Sequence, residues 1–105
     1  MKFFIATLVH EDIALWKQHI DAHVEYPEKL VAEARIAASG PVKDSEAVRG
    51  GARSGLIVMR ASSLSEAQSI IDNDPFAQAG VNTHVTIYEW DPVFGLFANE
   101  SSGSV

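Results

Sequence analysis

The chain has 105 residues, of which 47% are hydrophobic, so it can bury one core but not two. Its formal charge of −6, with no basic run, disfavours nucleic acid as a partner, because duplex binding neutralises phosphates with Lys and Arg. The absence of cysteine excludes a disulfide framework, a thiolate nucleophile and a Cys-ligated metal. No apolar stretch approaches membrane-spanning length, and we expect a cytoplasmic protein with no membrane partner.

The first predicted elements are a strand and a long amphipathic helix. Residues 2–9 form an apolar run that is too short for a secretory leader and lacks a cleavage site, so a buried strand is the better interpretation. Asp12 is typical of a helix N-cap. Pro27 lies inside the helical pattern and predicts a kink or a restart, because proline removes one backbone hydrogen bond. The apolar stripe of this helix is Ile13, Trp16, Ile20 and Val24.

The middle of the chain is less regular. Propensity alone leaves residues 35–39, with the sequence Arg-Ile-Ala-Ala-Ser, open between helix and strand. Residues 41–53 are rich in Gly, Pro, Asp and Ser and predict a loop without a core face. Residues 55–60, with the sequence Gly-Leu-Ile-Val-Met-Arg, predict a buried strand.

The residues from Ser63 onward predict the start of a second helix. Ser63 and Glu66 have the spacing of a capping box, in which hydroxyl and carboxylate each satisfy a free amide. The apolar face predicted for this helix is Leu64, Ala67, Ile70 and Ile71.

The last elements follow directly along the chain. Asp74-Pro75 predicts a further helix start, and Gly80 its end. Residues 81–90 alternate as a strand does, and residues 99–105 predict a flexible C-terminal tail after a domain over residues 1–98.

The order of elements predicts an α+β protein with the ferredoxin-like βαββαβ fold. Right-handed crossovers give an antiparallel sheet with both helices on one face. The other face would be open, and its apolar side chains would need a cover. A second copy of the sheet is the simplest cover, so we expect a homodimer of the dimeric α+β barrel type. The residues predicted for this open face are Phe4, Leu8, Tyr88 and Trp90.

Several short motifs resemble those of the YCII-related family. The first is His23-x-x-Tyr26, followed by Leu30 and Gly40-Pro41. The others are Gly-Ala-Arg-Ser-Gly-Leu-Ile-Val at residues 51–58, Ser-Leu-x-Glu-Ala at residues 63–67 and Asp-Pro-Phe-x-x-Ala-Gly at residues 74–80. The resemblance runs from about residue 2 to residue 92. It favours a strand for residues 35–39.

The resemblance implies which residues form a site. The family's proposed dyad corresponds to His23 and Asp74, and its pocket serine corresponds to Ser54. From the same signatures we take Gly40, Pro41 and Arg53 as further substrate-binding residues. The chain departs from the family pattern at three positions: Ala34 stands where members often have glycine, Pro27 follows the tyrosine unusually, and Ile20 stands where an arginine is common three places before the histidine.

The resemblance also implies a class of reaction. One branch of the family resembles a dehydrochlorinase acting on chlorinated hydroxyhydroquinones, and related muconolactone isomerases also move protons on small rings. We therefore expect a lyase or isomerase that needs neither cofactor nor metal, in which His23 is oriented by Asp74. One oxygen of Asp74 would cap its helix while the other accepts the imidazole N–H. The alternative is a dimeric module that binds a small molecule without turnover.

Other roles for these residues are less favoured. Ser54 lacks the G-x-S-x-G elbow of a serine nucleophile. His19 and His23 have a spacing that can chelate zinc, but no third ligand is evident. His10 and His84 lie in or beside strands, where we expect them to face solvent.

Overall fold

A computed structural model describes all 105 residues as a four-stranded antiparallel sheet with helices on one face. The strands are β1 (Lys2–His10), β2 (Ile36–Pro41), β3 (Arg53–Ala61) and β4 (His84–Trp90). The helices are α1 (Ile13–Ala32), α2 (Glu46–Arg49), α3 (Leu64–Asp72) and α4 (Pro75–Gln78), followed by a 3₁₀ turn at Ala98–Glu100. The strand order β2-β3-β1-β4 is that of the ferredoxin-like fold, as predicted.

Alternation along β1 decides which side chains enter the core. Phe4 and Leu8 are 2% and 5% exposed and belong to the cluster under the helices. Their prediction as open-face residues was therefore wrong, because it assigned the strand the opposite parity. Tyr88 and Trp90 are exposed on β4, as expected. The open face instead takes Ile5, which pairs with Tyr88, and Phe3, which pairs with Trp90.

Helix α1 is one continuous helix through Pro27. The Asp12 side chain caps it by accepting from the Leu15 amide at 3.0 Å, as predicted. It ends with hydrogen bonds from Ala34 N to Val31 O and from Arg35 N to Leu30 O. This Schellman arrangement places Ala34 at φ 59°, the left-handed conformation that glycine adopts most easily. The restart expected at Pro27 does not occur.

The loop between β2 and β3 contains an element that the sequence did not predict. Residues 46–49 form the short helix α2, capped by the Ser45 hydroxyl, which accepts from the Val48 amide at 3.3 Å. Gly51 follows with φ +102°, a conformation open to glycine at little cost. The turn signals were correct, but one turn of helix lies among them.

Helix α3 begins as the capping box predicts, with one change. The Ser63 hydroxyl accepts from the Glu66 amide at 3.1 Å. The Glu66 carboxylate accepts from the amide and hydroxyl of Ser62, one residue earlier than a capping box requires. Ala67, Ile70 and Ile71 are buried, whereas Leu64 is 54% exposed and does not join the apolar face.

The C-terminal segment packs against the open face of the sheet at Phe3. Phe97 contacts Phe3 with ring centroids 5.3 Å apart, and the Arg60 guanidinium donates to both carboxylate oxygens of Glu100 at 2.9 and 3.0 Å. Ser102 donates to Asp91. The flexibility expected for residues 99–105 stays a prediction. None of the helices combines the length and the apolarity that crossing a bilayer requires.

Candidate functional site

His23 and Asp74, 51 residues apart in the chain, form a direct hydrogen bond. The imidazole Nδ1 of His23 lies 2.8 Å from Oδ1 of Asp74. His23 lies on α1 and Asp74 is the N-cap of α4, so the packing of α1 against α4 joins them. The side chain of Asp74 is 7% exposed and that of His23 is 22% exposed. The histidine therefore keeps access to solvent while its carboxylate partner does not.

The same oxygen of Asp74 also caps helix α4. Oδ1 accepts from the Phe76 amide at 2.8 Å, so it receives both the amide and the imidazole. The expectation that the two oxygens would divide these roles was wrong. Because Oδ1 is an acceptor in both bonds, Nδ1 of His23 carries the proton. In the neutral ring, Nε2 is then the unprotonated nitrogen, and no group of the chain bonds to it.

Phe76 holds the imidazole in a fixed plane. Its ring stacks on that of His23 with centroids 3.9 Å apart and an interplanar angle of 1°. Phe76 is 2% exposed, and it also contacts the edge of His10 at 5.0 Å and the ring of Trp16 at 6.5 Å. Two constraints, the Asp74 bond and the Phe76 stack, therefore orient the one imidazole.

The dyad lines a cavity of about 200 Å³ between α1 and the inner face of the sheet. All six residues predicted for the site lie in its wall. A dry cavity of roughly 150 Å³ in another protein admits benzene, so the volume here suits one substituted ring. The lining residues are Leu8, His10, Trp16, Ile20, His23, Val24, Ser39, Gly40, Pro41, Arg53, Ser54, Gly55, Ile57, Asp74 and Phe76.

The predicted substrate-binding residues differ in what they can offer a ligand. The Ser54 hydroxyl is buried and donates to the Leu8 carbonyl at 2.9 Å, with no base beside it. Gly40 and Pro41 form the end of β2, paired with Leu56 and Gly55 of β3. Ser54 thus fixes two strands against each other at the cavity wall, and it has none of the features of an activated nucleophile.

Arg53 is the first residue of β3, and it is an exposed residue that lines the mouth of the cavity. The carbon at the centre of its guanidinium lies 3.9 Å from the centroid of the Trp16 ring. Trp16 lies on the first turns of α1, so this cation–π contact joins the helix to the strand across the opening.

His10 is a member of the site that was not predicted to be buried. It is 7% exposed, and its Nε2 lies 3.0 Å from Oδ1 of Asn82. Burial lowers the pKa of His10, with smaller lowering effects from His23 and Arg53, against raising effects from Asn82 and Asp74. Two buried atoms have no partner, Nδ1 of His10 and Nδ2 of Asn82. The signal was present: His10 continues the inward parity of Phe4, Ala6 and Leu8.

Tyr26 supports the site from one turn further along α1. Its hydroxyl donates to the Ile70 carbonyl at 2.7 Å, in the last turn of α3. Burial raises the pKa of Tyr26, and the charge of Asp74 adds to this effect. The His-x-x-Tyr pair thus places one side chain in the cavity and ties the same helix to α3.

A metal site gains no support from the arrangement. His19 and His23 lie one turn apart on α1, but no group of three or more His, Asp or Glu side chains in the chain is placed to hold a metal ion. His84 is 71% exposed at the side chain and lies 3.3 Å from Glu11 on the surface.

Comparison with known proteins agrees with this fold. The chain is similar to the structure of 5-chloro-2-hydroxyhydroquinone dehydrochlorinase (TftG) from Burkholderia phenoliruptrix AC1100, solved in complex with 2,5-dihydroxybenzoquinone. The two are 25% identical with a TM-score of 0.67, over 84% of this chain and 92% of that one. The C-terminal domain of the MgtC protein of Mycobacterium tuberculosis shares the fold, with a TM-score of 0.52 and 6% identity over 86% and 88% of the two chains.

Two sequence comparisons identify the family. The uncharacterized protein YjpA of Bacillus subtilis is 35% identical over 74 residues, which are 70% of this chain and 78% of that protein. The profile of the YCII-related domain matches residues 1–91. The chain therefore belongs to the YCII-related domain family.

Proposed function

We propose that this protein is a cofactor-independent enzyme in which His23, oriented by Asp74, transfers a proton on a small hydroxylated ring. The observation that carries the proposal is the Nδ1–Oδ1 bond of 2.8 Å. This bond places the proton on Nδ1, so Nε2 of this cavity-lining imidazole has a free lone pair that can accept a proton. A buried carboxylate stabilises the imidazolium that forms when Nε2 takes a proton. General acid–base catalysis of this kind contributes about 10²- to 10⁴-fold to a rate.

The similarity to a dehydrochlorinase suggests how the proton would move. Nε2 of His23 takes the proton of a ring hydroxyl, and the electron pair of the O–H bond enters the ring. The imidazolium returns the proton to the ring carbon that bears chlorine. A second hydroxyl then loses its proton while chloride leaves with the C–Cl electron pair, so that the net loss is HCl and the product is a quinone. Isomerisation would use the first two steps alone.

The test is turnover of 5-chloro-2-hydroxyhydroquinone, followed by chloride release and by the absorbance of the quinone. We expect His23→Ala and Asp74→Asn to lower the rate by about 10²-fold or more. His19→Ala is the matched control, because His19 lies one turn away on α1 and outside the cavity lining. Unchanged turnover in both dyad variants, each shown to be folded by circular dichroism, would contradict the proposal.

A second candidate is a binding module without turnover. It is favoured by the fact that both dyad residues already have structural roles, since Asp74 caps α4 and His23 stacks on Phe76. This candidate predicts that ring compounds bind the wild type and His23→Gln with equal affinity, and that no hydroxylated ring is converted. A loss of both affinity and turnover in His23→Gln would exclude it.

We also propose that the open face of the sheet pairs with a second copy of the chain. Leu56, Tyr88 and Trp90 are 39%, 59% and 39% exposed there, an apolar surface of the kind that marks an association site. Sedimentation velocity should show a dimer for the wild type and a monomer for Tyr88→Arg. A monomeric wild type would contradict the homodimer.

A further inference from the structure

Arg53 is a positive charge without an acidic partner at the mouth of the cavity. Among the fifteen lining residues it is the one Lys or Arg, and no carboxylate lies within 4.0 Å of its guanidinium nitrogens. The one acid in the lining, Asp74, already accepts from His23 and from the Phe76 amide. Arg53 is therefore not neutralised by the site that it lines.

The contact with Trp16 fixes the guanidinium without using its hydrogen-bond donors. The indole ring covers one face of the group at 3.9 Å, and a stacked guanidinium keeps the N–H groups along its edge free. The guanidinium of Arg53 donates no hydrogen bond to another residue of the chain. A planar fork of this kind matches two oxygens of an anion.

The charge of the whole protein makes this arrangement more informative. With a formal charge of −6, the molecule repels anions in general, and it gains nothing in solubility from one cation at a cavity mouth. The cation–π contact with Trp16 uses the charge of the guanidinium but leaves its N–H groups without an acceptor. These unfilled donors are what the contact with Trp16 leaves unexplained.

We propose that the ligand of the cavity carries a negative charge on its ring, as a carboxylate or an ionised ring oxygen, and that Arg53 binds this group. The ring then lies against the apolar wall formed by Ile20, Val24 and Ile57, within the same cavity as Nε2 of His23. This inference rests on the proposed use of the cavity as the substrate site. It adds that a ring with an anionic group binds more tightly than a neutral hydroxylated ring, and that a neutral chlorohydroquinone gains this contact once His23 has taken its proton.

Titration calorimetry with three ring compounds tests the proposal. Hydroquinone is neutral, 2,5-dihydroxybenzoate adds a carboxylate, and 2,5-dihydroxybenzoquinone carries an acidic ring hydroxyl that ionises readily. The wild type should bind at least one of the two anions about tenfold or more tightly than hydroquinone, a preference that weakens with salt. The two anionic compounds separate a carboxylate from an ionised ring oxygen as the group bound.

Two substitutions with the same change in charge provide the control. Arg53→Gln should abolish the preference for the anion, while Arg49→Gln, exposed on α2 and outside the cavity lining, should retain it. Arg53→Lys keeps the charge without the fork and should show an intermediate preference. Equal or undetectable binding of all three compounds, or a preference that survives in Arg53→Gln, would overturn the proposal. The same titrations on His23→Ala separate the two proposals, since a retained preference without turnover bears on the dyad alone.

Discussion

Helices α1 and α3 lie on the same face of the sheet but bury their side chains very differently. In its nine residues α3 buries Ala67, Ile70 and Ile71, all at 3% exposure or less. In its twenty residues α1 buries only Leu30. The rest of its inward side is half-buried or, at Val24, exposed, because the cavity lies beneath it. Helix α3 and the C-terminal end of α1 therefore supply the packed core on this face, while the first three turns of α1 form a wall of the cavity.

The apolar stripe of α1 was identified correctly but given the wrong environment. Trp16, Ile20 and Val24 follow at helical spacing, which normally indicates a core face. Here all three line the cavity, and Val24 is 43% exposed. An amphipathic pattern therefore shows which side of a helix faces inward, but not whether that side meets protein or space for a ligand.

The largest expected effect is a difference between two truncations on α1. Leu30→Ala removes a side chain that is 2% exposed and should lower the free energy of unfolding by about 2–5 kcal/mol. Val24→Ala, at 43% exposure, should cost below about 1 kcal/mol. Urea denaturation measures both. Equal losses would mean that the cavity wall is packed in solution, against the division drawn between the two parts of the helix.

Substitutions of Asp74 separate its two roles. Asp74→Ala removes the cap of α4 and should lower the free energy of unfolding by about 1–2 kcal/mol. Asp74→Asn keeps a good capping residue, so its stability should stay within about 1 kcal/mol of the wild type while the dyad loses its carboxylate. Thermal denaturation compares the pair. A loss in Asp74→Asn as large as in Asp74→Ala would show that the His23 bond, rather than the cap, stabilises this end.

The end of α1 offers a stabilising change. Ala34 adopts φ 59°, a conformation that costs a residue with a Cβ about 1–2 kcal/mol relative to a right-handed one. Ala34→Gly should therefore raise the free energy of unfolding by up to about 1 kcal/mol, since glycine loses part of the gain through its freer unfolded chain. Ala22→Gly, exposed in the middle of the helix, is the control and should be destabilising. A destabilised Ala34→Gly would contradict the left-handed end of the helix.

His10 predicts how stability depends on pH. Burial lowers its pKa in the folded state, so the unfolded chain binds its proton more tightly. The contribution of His10 to the free energy of unfolding is then fully present above about pH 6.5, the ordinary pKa of histidine. This contribution is lost as the pH falls toward the lowered pKa of the folded state. Equilibrium unfolding between neutral and mildly acidic pH should show a smaller fall in His10→Gln than in the wild type. His84→Gln, exposed at the surface, should match the wild type, and a smaller fall there as well would remove His10 as the cause.

Much of the fold followed from local signals. The caps at Asp12, Ser63 and Asp74 and the proline at the start of α4 fixed helix starts that the structure confirms. It was harder to predict which side chains of β1 point to the helices. Phe3 and Phe4 are both apolar and both buried, although they lie on opposite faces of the sheet. Helix α2 was missed because turn residues and one turn of helix share the same composition.

The candidate site was predictable only in part. The motifs named His23 and Asp74, but periodicity gave no reason for two residues 51 positions apart to meet. The sharing of Oδ1 depends on the angle at which α1 meets α4, and the contact of Arg53 with Trp16 depends on how β3 crosses α1. Both are properties of packing between elements, and a single sequence does not encode them in any local pattern.

The state of the His23 ring is the most direct test, because it needs no knowledge of the substrate. Long-range nitrogen–proton NMR spectra at neutral pH distinguish a ring protonated at Nδ1 from one protonated at Nε2. For His23 the arrangement predicts a proton on Nδ1 and a free Nε2, with this preference lost in Asp74→Ala. A proton on Nε2, or a mixture of the two tautomers, would contradict the assignment of His23 as the proton acceptor of the cavity.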